Sequence, residues 1–290
     1  MKHSLAKVLF TVAFAIMLGG VGSSFKANAG IIPNSVIVPH EYQFPPAEVI
    51  PDEGFSGLLS YNIYREEGVG WDGETGTRSL FATVNKLFHV FDVDGVDNVG
   101  FAAEALFGYG RVLTKNDQSL NGLLDVQVGM VAFMKPTDNW TTALEYWLVL
   151  PIGDEDFSGH SWDQQFAFLT NYVYGDFTFD GDVGYKLRGE SKHDGLRSQG
   201  GDVIYASACW GYKFANMIEP FFKLDYMTVD SGKDKNTGLT IPSSSELTWG
   251  VGNFFKINDN VAVSLHYIKG LTGRNTSRAN GVEFNLYWVF

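Results

Sequence analysis

From residue 57 to its last residue the chain alternates apolar and polar side chains in short runs separated by turns, and no other feature limits its possible folds as much. Successive residues of a strand point to opposite faces, so a period of two means a sheet with one greasy face and one wet face. In the last run Val282, Phe284, Leu286, Trp288 and Phe290 share one face, while Glu283, Asn285 and Tyr287 share the other. Phe177, Phe179, Val183, Tyr185 and Leu187 alternate with Thr178, Asp180, Asp182, Lys186 and Arg188. Ile204, Ala206, Ala208, Trp210, Tyr212 and Phe214 oppose Tyr205, Ser207, Cys209 and Lys213, and Leu144, Tyr146 and Leu148 oppose Glu145 and Trp147. Twelve runs are counted, near 57–66, 77–91, 98–111, 121–134, 142–150, 161–174, 177–188, 204–214, 218–228, 244–256, 260–270 and 282–290.

The connections sort by parity. Odd ones are mostly long and polar (67–76, 114–119, 153–160, 190–200, 230–243 and 271–279), whereas even ones are mostly short, down to the dipeptide Gly175-Asp176. An up-and-down antiparallel transmembrane β-barrel of about twelve strands has this asymmetry, with tight periplasmic turns and long outer loops. A soluble periplasmic sandwich would also alternate, but it has no reason to sort its loops. Tyr61, Trp140, Trp162, Tyr172, Tyr174, Tyr212, Tyr287 and Trp288 fall near run ends, as interfacial girdles require. The chain finishes on Phe290, within an outward-facing set, like a terminal strand read by the barrel-assembly machinery.

Ahead of the barrel stand two further segments. Residues 1–29 read as a signal peptide, with Lys2 and Lys7, an apolar stretch to Val21, and Ala27-Asn28-Ala29 as the cleavage site. Residues 30–56 hold Pro33, Pro39, Pro45, Pro46 and Pro51, which remove backbone donors and disfavour pairing. This segment is either a flexible leader or a plug folded into the barrel on Tyr42 and Phe44. The remaining domain is the barrel, 57–290. A single cysteine, Cys209, excludes an internal disulfide framework and a Cys-based zinc site. A net charge of −12, more negative once Lys2, Lys7 and Lys26 leave, argues against nucleic-acid partners. The expected surroundings are outer-membrane lipid and lipopolysaccharide.

Charge on a lipid-facing strand position costs about 2–4 kcal/mol for Lys or Arg near the bilayer centre, so the polar parity is expected to face the lumen. It comprises Glu104, Asp125, Gln127, Glu145, Gln165, Asn171, Asp180, Asp182, Lys186, Arg188, Lys213, Lys223, Asp225, His266, Glu283 and Asn285. The mixed signs either pair and seal the lumen or face each other across a narrow pore. Twelve strands lie between eight, which side chains fill, and sixteen, which leave an aqueous channel. Asp180 and Asp182 sit too far along one strand from Lys186 and Arg188 to pair with them, so all four need partners on neighbouring strands. No catalytic group is expected. His160-Ser161 point to opposite faces, Ser264 and His266 share a face by coincidence of parity, and no metal-ligand spacing or cofactor motif is present. The acidic run Asp154-Glu155-Asp156 reads as a solvated outer loop.

Short motifs add a resemblance. Gly122-Leu123-Leu124-Asp125-Val126-Gln127-Val128-Gly129 and Leu150-Pro151-Ile152-Gly153-Asp154 resemble the Gly-Leu-Gly-Asp and Pro-Thr-Gly-Asp strands of the MetA-pathway phenol-degradation family, with Leu124 and Ile152 as departures. Gly273-Arg274-Asn275, Asn280-Gly281 and Phe290 are similar to its last hairpin. The resemblance spans roughly 57–290. It implies an outer-membrane barrel that takes up small hydrophobic or aromatic solutes, without catalytic residues to transfer. The alternative is a structural barrel with a sealed lumen and partner-binding outer loops.

Overall fold

The computed structural model describes residues 37–69, 75–96, 98–114, 119–193, 195–214 and 217–290. The expected signal peptide and its cleavage site lie outside the described residues. A short 3-10 turn, Ala47–Val49, precedes the strands. The wall is built from β1 (Phe55–Val69), β2 (Thr75–Phe91), β3 (Gly100–Thr114), β4 (Ser119–Leu123), β5 (Val126–Thr137), β6 (Trp140–Leu150), β7 (Asp163–Tyr174) and β8 (Phe177–Leu187). It continues, after β9 (Glu190–His193) and β10 (Leu196–Gln199) in one loop, through β11 (Val203–Tyr212) and β12 (Ile218–Val229). Past β13 (Gly232–Asp234) and β14 (Thr240–Ile241) it ends with β15 (Ser244–Lys256), β16 (Val261–Arg274) and β17 (Asn280–Val289).

Each wall strand pairs antiparallel with its neighbour, and β1 pairs with β17 from Gly57↔Val289 to Arg65↔Gly281, closing the ring. Ser56 and Phe290 exchange both backbone hydrogen bonds at the seam, so the last residue completes the ladder. The twelve-strand barrel is therefore closed, with β4 and β5 as two halves of one interrupted strand. Closure removes every free edge, which a membrane demands because lipid offers no hydrogen bonds. No described helix is long and apolar enough to cross a membrane; the strands cross instead.

On most of the wall the alternation sorts as the sequence indicates. Leu144, Phe166, Phe168, Val183, Ile204, Phe222 and Leu265 are exposed on the outside, while Glu145, Gln165, Asp182, Ser207, Lys223 and Ser264 are buried inside. The first three strands depart from it. There Leu59, Ile63, Leu80, Ala82, Val84 and Val112 point inward and are buried, and Ser60, Asn62, Thr83 and Asn85 point outward, half-buried. The inward apolar set is tolerated because Leu124 and Phe157, from the strand break and the β6–β7 loop, pack on it.

The β8–β11 and β12–β15 connections are not simple polar loops. β9, β10, β13 and β14 form a second four-stranded sheet at the long-loop end, in the order β14-β13-β10-β9. Glu190 accepts from both Arg197 and Lys235 there, and these two hydrogen bonds hold its carboxyl down at a pKa of about 2. Strands of two to four residues are too short to show a period, so the alternation could not reveal them.

Candidate functional site

At the short-turn end the barrel is occupied by its own N-terminal segment. Ile37, Val38, Tyr42 and Ile50 are buried in one apolar cluster with Val90, Ala102, Val131, Phe133, Ala167 and Cys209 of the wall. Phe44 stacks on Phe133 with ring centroids 4.3 Å apart. The polar groups of the segment meet the wall as well. The backbone N–H groups of His40 and Tyr42 donate to the Asp180 carboxylate (2.9 and 3.2 Å), and the Tyr42 hydroxyl donates to Asp182 at 2.8 Å. Glu41 accepts from the Tyr61 hydroxyl (2.7 Å) and from Lys86 Nζ (3.1 Å).

His40 turns the chain at φ 66°, a left-handed conformation uncommon for a residue other than glycine. Its Nε2 lies 2.7 Å from Glu219 Oε2 and its Nδ1 2.6 Å from Gln43 Oε1. Oxygen acceptors at both ring nitrogens suit an imidazolium, which donates from each. Burial pushes the His40 pKa down, but the hydrogen bond and charge of Glu219, helped by Asp180, outweigh it and leave the pKa raised. Burial, then the charges of Asp182 and Glu41, hold the Tyr42 phenol well above its ordinary range.

Above this segment the wall is a network of paired charges. Asp180 also accepts from Asn171 (3.0 Å), and Asp182 from the Ser207 N–H (3.1 Å). Lys186 pairs with Asp163 on β7 at 3.5 Å. Gln165 donates to the Tyr205 hydroxyl, and Asn285 to Ser264. Lys223, 2% exposed, pairs with Asp225 at 3.2 Å, while Glu283 receives Arg65 and His266, each at 2.9 Å. Glu104 lies 4.0 Å from Lys86, with Glu145 buried on the same inner surface; Gln127 is inward and half-buried.

Of the residues expected in the lumen, Lys213 lies elsewhere and Arg188 stands at its rim, near Asp163. Lys213 follows the last residue of β11 and is exposed in the short turn, its N–H bonded to the Asp176 carbonyl; the ladder stops at Tyr212 although the alternation runs on. Arg188 falls just past β8, half-buried, with its N–H on Asp202. The Ser–His pairs also find other partners. Ser161 donates to Asp163, His160 stacks on His193, Ser264 accepts from Asn285, and His266 Nε2 stands 2.9 Å from a Glu283 carboxylate oxygen.

Several functional-looking groups escape a parity reading. Lys86 sits among Leu80, Ala82, Val84 and Phe88, an inward set too apolar to mark as lumen. His40, Glu41 and Glu219 lie in or beside turns; His40-Glu41 flanked by Pro39 and Pro45 was the available signal.

The break in the β4–β5 strand has its own lock. The Asp125 carboxylate accepts from the N–H groups of Gly153 (3.0 Å) and Gly159 (2.7 Å). The Asp154 carboxylate accepts from the Leu123 N–H at 2.8 Å, and Asp154 N–H donates to the Leu123 carbonyl. A Cβ on Gly153 would stand 2.8 Å from backbone atoms of Leu123, Leu124 and Asp125, so glycine permits the approach. The clasp draws the 151–162 loop inward and seats Leu124 and Phe157 over the apolar side of the lumen.

Solved outer-membrane proteins share this architecture. The COG4313 outer membrane channel from Pseudomonas putida F1 superposes with a TM-score of 0.75 at 12% identity, over 88% of this chain and 100% of that one. The beta domain of the Bordetella autotransporter Brka gives 0.52 at 10% identity, over 82% and 100%. At such identities the likeness is one of fold. No curated protein matches the chain in sequence. The motifs that clasp at the strand break lie within residues 62–286, which match a family model, and this outer-membrane β-barrel belongs to the family described as "Putative MetA-pathway of phenol degradation".

Proposed function

We propose that this barrel is an outer-membrane channel for small hydrophobic or aromatic solutes, closed from the periplasmic side by residues 37–50 acting as a plug. The observation that carries the reading is the seating of that segment: its apolar residues fill the short-turn end of the lumen, and its polar groups take up Asp180, Asp182, Lys86 and Glu219. The contacts mix ion pairs with a modest apolar cluster, as suits a piece that leaves and returns. The lumen wall suits the solute class. One side is apolar, from Leu59 to Val112, and the other carries hydroxyls, amides and paired charges. A ring with one polar substituent finds both kinds of surface there.

Liposome swelling tests the proposal, with the intact barrel beside one lacking residues 37–50. Cys209, 1% exposed beneath the segment, supplies an internal reporter. Removal of the segment is expected to raise solute flux and to open Cys209 to a small maleimide. Labelling of Cys209 without any flux of phenol-sized solutes would mean a sealed structural barrel and would end the channel reading.

A further inference from the structure

The outer wall carries one feature that solute passage does not use. Across most of the described strands its centre is apolar; the outward-facing amides Gln164, Asn253 and Asn280 lie near strand ends, Lys269 stands beside Asn280 in the β16–β17 register, and the outward Thr142–Thr170 pair has its Thr170 hydroxyl bonded to Trp140 and to the Thr141 carbonyl. On β1 and β2 four polar side chains instead form a compact square. Ser60 is paired with Asn85 and Asn62 with Thr83 in the β1–β2 register, all four on the outward face. Their level is inside the apolar band. Leu58, two residues below, is level with Trp288, and Tyr64 stands two residues above. Exposed Phe81, Phe107 and Phe284 surround the square.

Lipid tails offer these groups no hydrogen bonds, and a polar group left without one in hydrocarbon is costly. Internal bonds satisfy only part of the set. Thr83 donates to Asn62 at 3.0 Å, and Asn62 reaches Ser60 only at 3.5 Å. No hydrogen bond to the Asn85 amide is found among the described residues. Lipid headgroups lie beyond Trp288 and Tyr64 and do not reach this depth. A charged partner has nothing to pair with, because the square is neutral.

We infer that the β1–β2 face is an interface between two copies of this chain, related by a two-fold axis along the membrane normal. Asn, Ser and Thr each offer a donor and an acceptor, so the square is complementary to itself, which is what an isologous contact requires. Two barrels standing side by side touch along a narrow line, and a patch two residues wide and two high suits that geometry. The amides supply the specific contact and the flanking aromatics the packing, in a setting where small and polar residues join membrane segments. The inference needs only a barrel embedded in a membrane and does not depend on solute passage.

The test uses the full chain reconstituted in lipid vesicles. Asn62→Cys is expected to give a cross-linked dimer with a short bis-maleimide, whereas Val183→Cys, on β8 six strands round the ring, is not. Cys209 is buried in both. The Asn62→Leu/Asn85→Leu variant, which keeps the heat-modifiable migration of a folded barrel, is expected to weaken the dimer dissociation constant about ten-fold. Equal cross-linking at 62 and 183, a monomer at every lipid dilution, or an undiminished dimer in the double variant would each overturn the interface.

Discussion

Replacing Tyr42 by phenylalanine removes one hydroxyl and isolates what it contributes to the proposed closure. Tyr42 is 6% exposed, and its hydroxyl donates to Asp182 at 2.8 Å, while Asp182 also accepts from the Ser207 N–H. A hydrogen bond to a charged group contributes about 1.5–3 kcal/mol, so the loss shifts the seated-to-released ratio of the segment by about ten- to a hundred-fold. Tyr42→Ala removes the ring as well. A buried tyrosine covers about 150–250 Å², and at about 25 cal/mol per Å² its loss adds an upper limit of about 4–6 kcal/mol. Planar-bilayer recording reads both as the fraction of time open. The expected order is wild type, then Tyr42→Phe, then Tyr42→Ala, with barrel folding unchanged because Tyr42 lies outside the wall strands. Equal open fractions for wild type and Tyr42→Ala would refute the reasoning, since no seated plug could lose that ring without consequence.

The proposed closure is pH-linked. The seated His40 pKa is raised above its free value of 6.5, so its contribution is complete below pH 6.5 and is lost as pH rises through the seated value. Channel openings should therefore increase above neutrality, and His40→Gln should flatten that dependence in bilayer recordings. Gly153→Ala places a methyl 2.8 Å from the backbone at Leu123, Leu124 and Asp125. The clasp should open at a cost of about 1–3 kcal/mol, read as a lower melting temperature and faster protease cutting within 151–162. Phe168→Arg, at an exposed mid-strand position of β7, should destabilise vesicle-embedded barrels by about 2–4 kcal/mol in urea titrations. An unchanged midpoint there would mean that this face of β7 does not meet lipid.

The legible part of the fold is the part where solvent sorts side chains residue by residue. Outward Phe166, Phe168, Val183 and Ile204 and inward Asp180, Asp182 and Lys223 follow from period two alone, because lipid penalises charge wherever it meets a strand. Apart from Glu104, the first three strands were illegible by that rule. Their inward leucines and valines are covered by Leu124 and Phe157, residues remote in sequence whose direction is set by a clasp of carboxylates on backbone N–H groups. The seat of the N-terminal segment was hidden for a related reason. His40 and Asp180 are separated by 140 positions, and only closure of the ring brings the far wall to the segment. Lys213 shows the opposite error, in which alternation continues past the point where hydrogen bonding stops. Period two therefore reports which medium a residue meets, but not what else enters that medium. In a barrel the lumen is the one compartment that other segments of the same chain can fill, so the inward face is where a reading from alternation must be checked first.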